Sequence, residues 1–282
     1  MHLPCRVRAN HGYSRTDCGF SVVAGRVMTK FASVQRITPM GQWYGAGMKT
    51  QIDHLVVVAS TLSQGVQWCE ATLGITPGPG GEHEKQGTHN RLFKIATPEH
   101  PMAYFEIIAI HPHADPALRS KNARWFDMDD PAVQKSVAKQ PRLLHFVAGT
   151  SDIAAARQAW FDQGIDRGTT IHANRRTPKG LLHWQFSLRP DGQRLFQGTL
   201  PSLIQWGKPG DADPQRLHPR NTLPRSKVSL ERLSVSHPNA TKLQAAFDAV
   251  GLRGVNIAPG SANVQAVLKT PKGLVTLNSD GV

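Results

Sequence analysis

Two histidines and one glutamate occupy matching places in a repeated sequence pattern. His54 and His145 each lie in an apolar segment that is followed by a helical pattern. Glu106 lies inside another apolar segment, where an isolated carboxylate costs several kcal/mol unless a partner or a metal compensates for its burial. Gln205 lies in the closing segment of the second unit. Imidazole, carboxylate and amide groups together can hold a divalent transition metal with positions left for substrate, so this set predicts a metal site.

Other side chains are candidates for the same site. His89 and Asn90 begin a predicted strand, so an alternative ligand set is His54, His89 and Glu106 from the first unit alone. Aromatic side chains suit the wall of a substrate cleft, and a guanidinium matches a carboxylate, although a core edge and a solvated turn explain these residues as well. The residues predicted to contact substrate are Asn90, Trp125, Phe126, Arg176 and Trp184, with Arg175 and Lys179 beside them.

An internal repeat positions these residues. The first unit begins with a strand over 52–58, continues with a helix over 62–73 that ends at Gly74, and closes with strands near 90–96 and 102–110. The second unit repeats this order between 143 and 206. His54 precedes Gly74 by 20 residues and His145 precedes Gly164 by 19, so the units match in spacing. Each unit is predicted as β-α-β-β with room for one more strand, which makes the fold class α+β.

The domain organisation follows from this repeat. Residues 48–140 form module one with its connection, 141–210 form module two, and 211–282 contain a Pro-rich linker and a partial C-terminal module. Residues 1–47 show no apolar periodicity. They are predicted to be a disordered head or an artefact of an upstream start, with translation beginning at Met48; a targeting segment is the third interpretation.

Composition and charge exclude some classes of protein. With 39% hydrophobic and 19% charged residues, the chain is globular, and it has no apolar run near the ~18 residues that span a bilayer. Three cysteines are too few for a disulfide framework, which favours a reducing, cytoplasmic location. The net charge of +13 is dispersed without a basic helix, so a small anionic molecule is favoured over nucleic acid.

Several motifs in order resemble the vicinal oxygen chelate superfamily, and within it the glyoxalase-like domain proteins. The motifs are Ile52-Asp53-His54-Leu55-Val56-Val57, Gly87-Thr88-His89-Asn90, Tyr104-Phe105-Glu106-Ile107-Ile108, Arg124-Trp125-Phe126, Pro141-Arg142-Leu143-Leu144 and Leu203-Ile204-Gln205-Trp206-Gly207. The resemblance implies paired βαβββ modules whose mixed sheets curve around a cleft. It also implies metal ligands on first and last strands, at His54, Glu106, His145 and Gln205, for a divalent ion such as Zn, Ni, Mn or Fe.

The predicted function is that of a metal-dependent glyoxalase-like enzyme, an isomerase or lyase acting on a small oxygen-rich or carbonyl substrate. Its metal would polarise two substrate oxygens and favour an enediolate-like intermediate, with Glu106 as the proton acceptor. One alternative is a non-heme Fe(II) ring-cleaving dioxygenase. Another is a metal-free binding protein on the same scaffold. The expected partner is a small molecule, with no nucleic acid or membrane, and the chain is expected to be a monomer or homodimer.

Overall fold

The computed structural model describes residues 49–208, 210–280 and 282 of the chain, so the predicted head over 1–47 lies outside the described residues. Module one contains β1 (Thr50–Val58), α1 (Leu62–Leu73), β2 (Glu82–His83), β3 (Thr88–Lys94) and β4 (Tyr104–Ile110). The connection adds α2 (Pro131–Lys139). Module two contains β5 (Arg142–Thr150), α3 (Ile153–Phe161), β6 (Thr169–Thr177), β7 (Gly180–Leu188) and β8 (Ser202–Trp206).

The two modules share one mixed sheet with the strand order β2-β3-β4-β1-β5-β8-β7-β6. In each module the first strand pairs with the last in parallel, β1 with β4 and β5 with β8. The modules meet where β1 and β5 run antiparallel. This arrangement confirms the predicted α+β fold of paired βαβββ modules in a curved sheet.

The C-terminal region forms a separate four-stranded sheet. After α4 (Pro219–Thr222) in the linker come β9 (Ser229–Ser236), α5 (Ala240–Ala249), β10 (Val255–Ala258), β11 (Asn263–Thr270) and β12 (Gly273–Asn278). The order β10-β9-β11-β12 places β9 parallel to β10. Here the first strand pairs with the strand directly after the helix, which distinguishes this sheet from modules one and two.

Local sequence explains the bounds of α1. The Thr61 side chain accepts a hydrogen bond from the backbone N–H of Gln64, and Gly74 ends the helix in the left-handed region with φ of 74°. Gly65 lets the helix approach the sheet, since a Cβ there would lie 2.4 Å from Cγ2 of Ile107. None of the helices in the described ranges is long and apolar enough to cross a membrane.

Apolar side chains cover both faces of the large sheet. On the convex face, Leu55 and Val57 pack with α1, α3 and the four-stranded sheet, and the buried Trp160 donates its indole N–H to the carbonyl of Ala246 at 2.7 Å. On the concave face, Val56 and Val58 pack with aromatic residues of the connection and β7. Alternation along β1 thus separates a structural core from the face that carries the candidate site.

Candidate functional site

A bulge in β1 brings Asp53 and His54 together. Across the β1–β5 pair, Ile52 lies opposite Ala148 and His54 opposite Val147, which leaves Asp53 as the extra residue. The Asp53 carboxylate, 1% exposed, lies 2.7 Å from Nδ1 of His54. Burial opposes its ionisation, but the adjacent His218 and His54 outweigh burial and lower the pKa of Asp53 far below its usual value. An ionised carboxylate only accepts, so Nδ1 carries the proton and Nε2 is the nitrogen directed away from Asp53.

Glu106 lies beside His54 on the neighbouring strand. Its Oε2 is 3.6 Å from Nε2 of His54, and its Oε1 accepts a 2.6 Å hydrogen bond from Nδ2 of Asn90. Both members of the pair are nearly buried, at 4% and 6% exposed. The Tyr104 ring stacks on the imidazole with centroids 4.5 Å apart. The imidazole is therefore held between two carboxylates, with a tyrosine ring on one face.

A glycine-rich loop holds Asn90. The backbone N–H of Gly81 donates to Oδ1 of Asn90 at 2.8 Å, which leaves the amide Nδ2 to donate to Glu106. A Cβ on Gly80 would lie 2.1 Å from the backbone oxygen of Asn90, and a Cβ on Gly81 would lie 2.1 Å from Nη1 of Arg175. Glycine at 80 is therefore needed for the loop to approach Asn90, whereas glycine at 81 leaves room for the guanidinium of Arg175.

The linker before α4 completes the support of His54. Nε2 of His218, which is fully buried, donates to Oδ2 of Asp53 at 3.0 Å, and the indole N–H of Trp206 donates to the same oxygen at 2.8 Å. The backbone N–H of Arg220 donates to Nδ1 of His218, which fixes its tautomer. Asp53 thus satisfies three N–H groups from β1, β8 and the linker.

The His54–Glu106 pair lines a small cavity on the concave face. The cavity has a volume of about 40 Å³, and its walls include Asn90, Tyr104, Trp125, Phe126, Arg175, Trp184, Phe186 and Trp206. It adjoins a groove of about 1040 Å³ between β6 and residues 79–86. Trp125, Trp184 and Arg175 line both spaces, so the groove continues into the cavity.

A segment of strained backbone positions two of the aromatic side chains that line the cavity. Phe126 and Asp127 have positive φ angles of 61° and 55°, a conformation that non-glycine residues rarely adopt. The Asp127 carboxylate holds the segment through an ion pair with Arg194 at 2.9 Å. Such strain persists only where neighbours fix it, and here it places Trp125 and Phe126 against the cavity.

His83 lies at the junction of cavity and groove. Its Nδ1 is 3.1 Å from Oγ1 of Thr88, and its ring meets the Trp125 ring edge-on with centroids 4.9 Å apart. Burial, together with the positive charge of Arg175, lowers the pKa of His83 to about 3. The imidazole is therefore neutral at physiological pH. No motif in the sequence marks His83 as a site residue.

His145 has no free ring nitrogen for a metal. Its Nε2 accepts a hydrogen bond from the backbone N–H of Ser202 at 3.0 Å, and its Nδ1 lies 2.9 Å from the carbonyl of Gly198. Burial, then the charges of Arg167 and Arg194, lower the pKa of His145 well below its usual value, so the ring is neutral. These bonds correct the prediction that His145 is a metal ligand: the ring is a buried structural group.

The other two predicted ligands face away from the cavity. Gln205 lies on the opposite side of β8 from Ile204, and its Oε1 accepts from the backbone N–H of Ile153 at the start of α3. His89 precedes Asn90 on β3 and therefore points to the other face, where its ring contacts His111 with centroids 4.4 Å apart. The prediction that Gln205 and His89 are metal ligands is therefore wrong. Side chains alternate between the two faces of a strand, and both of these lie on the face away from the cavity.

Four of the five residues predicted to contact substrate line the cavity, and the fifth does not. Asn90, Trp125, Phe126 and Trp184 line the cavity. Arg176 is exposed, whereas the preceding residue, Arg175, lines the cavity. Arg176 lines the adjoining groove, and both arginines lie on β6, a strand that the sequence did not predict.

The predicted metal set does not fit these positions. Of its five members only His54 and Glu106 share the cavity, and within the described ranges no group of three or more His, Cys, Asp or Glu side chains could hold a metal ion. Transition-metal sites in proteins usually take three or four protein ligands. The His54–Glu106 pair instead has the arrangement of an acid–base pair.

Comparison with known proteins identifies the family. A family model described as a glyoxalase-like domain matches residues 52–251. No curated protein matches the chain. A solved hypothetical protein from Staphylococcus aureus is similar at 18% identity, with a TM-score of 0.51 over 76% of this chain and 88% of that chain. A Streptomyces coelicolor methylmalonyl-CoA epimerase is 21% identical, with a TM-score of 0.34 over 55% of this chain and 92% of that chain.

The Staphylococcus aureus protein shares the fold with the chain, and the family assignment rests on the domain match. That match covers more than half of the sequence and includes β1 through α5, the elements that carry the His54–Glu106 pair. The chain therefore belongs to the glyoxalase-like domain family.

Proposed function

We propose that the protein is an enzyme that moves a proton on a carbon atom beside a carbonyl group of a small-molecule substrate. The observation that carries this proposal is the approach of Nε2 of His54 to Oε2 of Glu106, 3.6 Å apart in a cavity lined by aromatic side chains. Proton transfer of this kind needs a positioned base and a second group that receives or returns the proton.

The proposed reaction proceeds through an enolate. The substrate C–H bond breaks, its proton goes to Oε2 of Glu106, and the electron pair forms a carbon–carbon double bond while the carbonyl oxygen becomes negative. His54 lies within reach of Oε2 and relays the proton. Return of the proton to the same carbon or to its neighbour regenerates the carbonyl, so the reaction is an epimerisation or isomerisation with no change in redox state.

Neighbouring groups keep the pair in place. Asn90 donates to one oxygen of Glu106, which directs the other oxygen at His54. Asp53 accepts from Nδ1 of His54 and stabilises the imidazolium that forms when Nε2 takes a proton. Aromatic walls exclude water, which strengthens each of these interactions.

The proposed reaction does not require the metal that the sequence predicts. A metal-assisted form of this reaction would use a metal as a Lewis acid on the carbonyl oxygen. His54 and Glu106 offer two donors for it, while the ring nitrogens of His145 are bonded within module two. The proposed reaction therefore relies on proton transfer by the side chains.

Deuterium exchange tests the proposal. Dihydroxyacetone, 2-oxobutanoate and 2-oxododecanoate would be incubated with the protein in D2O, and the loss of signal from protons beside the carbonyl would be followed by NMR. The wild-type protein should accelerate exchange in at least one probe, and Glu106→Gln should slow it by about 10²- to 10⁴-fold.

Three outcomes would overturn the proposal. The first is equal exchange by the wild type and Glu106→Gln. The second is exchange that a chelator abolishes and a divalent metal restores, or iron content with oxygen uptake, either of which supports the metal-dependent alternatives. The third is tight binding of a probe with no exchange, which supports a binding protein on this scaffold.

A further inference from the structure

Two hydrogen-bond donors at the junction of cavity and groove have no partner in the part of the chain that the structure describes. The guanidinium of Arg175 forms no ion pair or hydrogen bond with any described residue, although the side chain is half-buried. The indole N–H of Trp125 is buried without a partner, and the residue is only 6% exposed. A buried donor without a partner costs about 1–3 kcal/mol, which a bound acceptor would recover.

These donors complement an anion. A guanidinium presents paired N–H groups in the geometry of a carboxylate, and a nearby indole N–H can donate to the same group. Gly81 makes room for this guanidinium, since a Cβ there would overlap Nη1. Both residues also line the cavity with Glu106, so an anion bound here lies next to the carbon from which Glu106 removes a proton.

The two adjoining spaces differ greatly in size. A cavity of about 40 Å³ admits about three water-sized groups, enough for a carbonyl group and one neighbouring carbon. The groove of about 1040 Å³ is as large as the sites that bind drug-sized ligands. Its wall next to the cavity is apolar, with Ile171 and Ala173 of β6 packed beside Leu182 and Trp184.

From this geometry we infer that the substrate is an elongated carbonyl acid with an aliphatic tail. Its reactive carbonyl enters the cavity, its carboxylate binds Arg175 and Trp125, and its tail lies along β6 in the groove. The inference rests on the proposed function for the reactive end of the molecule. It adds the class of substrate: a long-chain oxo acid rather than a short carbonyl compound.

Calorimetric titration with 2-oxobutanoate, 2-oxooctanoate and 2-oxododecanoate tests this inference. The titrations use the full chain carrying Glu106→Gln, so that binding is measured without turnover. Each methylene group moved from water to the apolar groove should tighten binding by about two- to fourfold until the groove is filled. Equal affinity for the three acids would overturn the groove assignment.

Variants test the binding of the substrate's carboxylate separately from the binding of its aliphatic tail. Arg175→Gln should weaken binding of all three acids by about 10- to 100-fold. The control Arg91→Gln alters an exposed arginine of β3 that lines neither the cavity nor the groove, and it should change binding less than about threefold. Ala173→Trp should remove the dependence on chain length and leave 2-oxobutanoate binding intact. Equal effects of the two arginine variants, or an unchanged chain-length dependence in Ala173→Trp, would contradict the inference.

Failure of this inference and failure of the proposed function give different results. Exchange at the carbon beside the carbonyl with no chain-length dependence would refute only the elongated substrate. Chain-length-dependent binding with no exchange by the wild-type protein would refute the proton transfer and retain the groove as a binding site.

Discussion

Glu106 and Ser202 hold equivalent positions in the two modules. Val56 of β1 pairs with Glu106 of β4, and in module two Val147 of β5 pairs with Ser202 of β8. Glu106 lies beside His54, with its Oε2 3.6 Å from Nε2, whereas Ser202 donates its backbone N–H to Nε2 of His145 and places Oγ 3.0 Å from the same nitrogen. The two modules thus share a strand arrangement, and the proposed acid–base pair lies in module one alone.

Glu106→Gln and Ser202→Ala should therefore behave in opposite ways. Ser202→Ala removes a buried hydroxyl that also accepts from Arg167, so it should lower the free energy of unfolding by about 1–3 kcal/mol. Its exchange rate should stay within about threefold of the wild type because the cavity is unaltered, whereas Glu106→Gln should lose exchange. Urea unfolding and the exchange assay measure the two effects. Loss of exchange in Ser202→Ala at full folding would place chemistry in module two.

Asp53→Asn should reverse the tautomer of His54. Because His218 and Trp206 both donate to Oδ2 of Asp53, the oxygen of an asparagine amide should take that position. Its N–H group then faces Nδ1 of His54 and donates to it, which leaves the imidazole proton on Nε2. Exchange should fall by about 100-fold or more, as for carboxylates that orient a catalytic histidine. Nitrogen NMR of the His54 ring reports the tautomer directly. An unchanged ring spectrum together with an unchanged rate would show that Asp53 has only a structural role.

Stability should depend on pH through His83. Its pKa of about 3 in the folded protein lies below the ordinary value of 6.5, so between these values the unfolded chain binds a proton that the folded protein does not. The free energy of unfolding should therefore decrease as the pH falls through this window. His83→Gln should make the decrease less steep in urea titrations at pH 7.5, 6 and 5. His172→Gln, which alters an exposed histidine, serves as the control; equal slopes in both variants would contradict burial of a neutral His83.

Alanine at Gly80 and at Gly81 should give different defects. A Cβ on Gly80 meets backbone atoms of Asn90, which cannot move aside, so Gly80→Ala should lower the melting temperature by several degrees. A Cβ on Gly81 meets the end of the Arg175 side chain, which can rotate away. Gly81→Ala should therefore retain the fold and lose affinity for oxo acids, measured by calorimetry. A Gly81→Ala protein with unchanged affinity would show that the position of Arg175 does not govern binding.

Much of the fold could be predicted from the sequence because its signals are local. The helix over 62–73 has a threonine before it and Gly74 after it, and the structure gives it the same bounds. The apolar strands of both modules appear where predicted. The sequence did not predict β6 and β10, because every second residue of these strands is exposed. It also did not predict α2, because the proline in its first turn is typical of loops as well. Short amphipathic segments like these depend on the sheet they join.

The candidate site was only partly predictable, for reasons of register and long-range contact. The sequence placed His54 beside Glu106 because both lie in apolar strands, but it aligned Gln205 with Glu106 where the strand pairing aligns Ser202. A shift of this size changes which face a side chain occupies. His218 lies in a Pro-rich linker with no local signal for burial. Its contact with Asp53 joins positions 165 residues apart, which no local pattern indicates.

The central claim is that His54 and Glu106 act as one unit in proton transfer, and a double-mutant comparison of exchange rates tests it most directly. His54→Gln, Glu106→Gln and the double variant would be compared with the wild type in D2O, using the probe that exchanges fastest. Each single variant should lose about 100-fold or more, and the double variant should lose little beyond that, because groups that act together are not additive. Losses that multiply in the double variant, or single variants within about threefold of the wild type, would contradict the account.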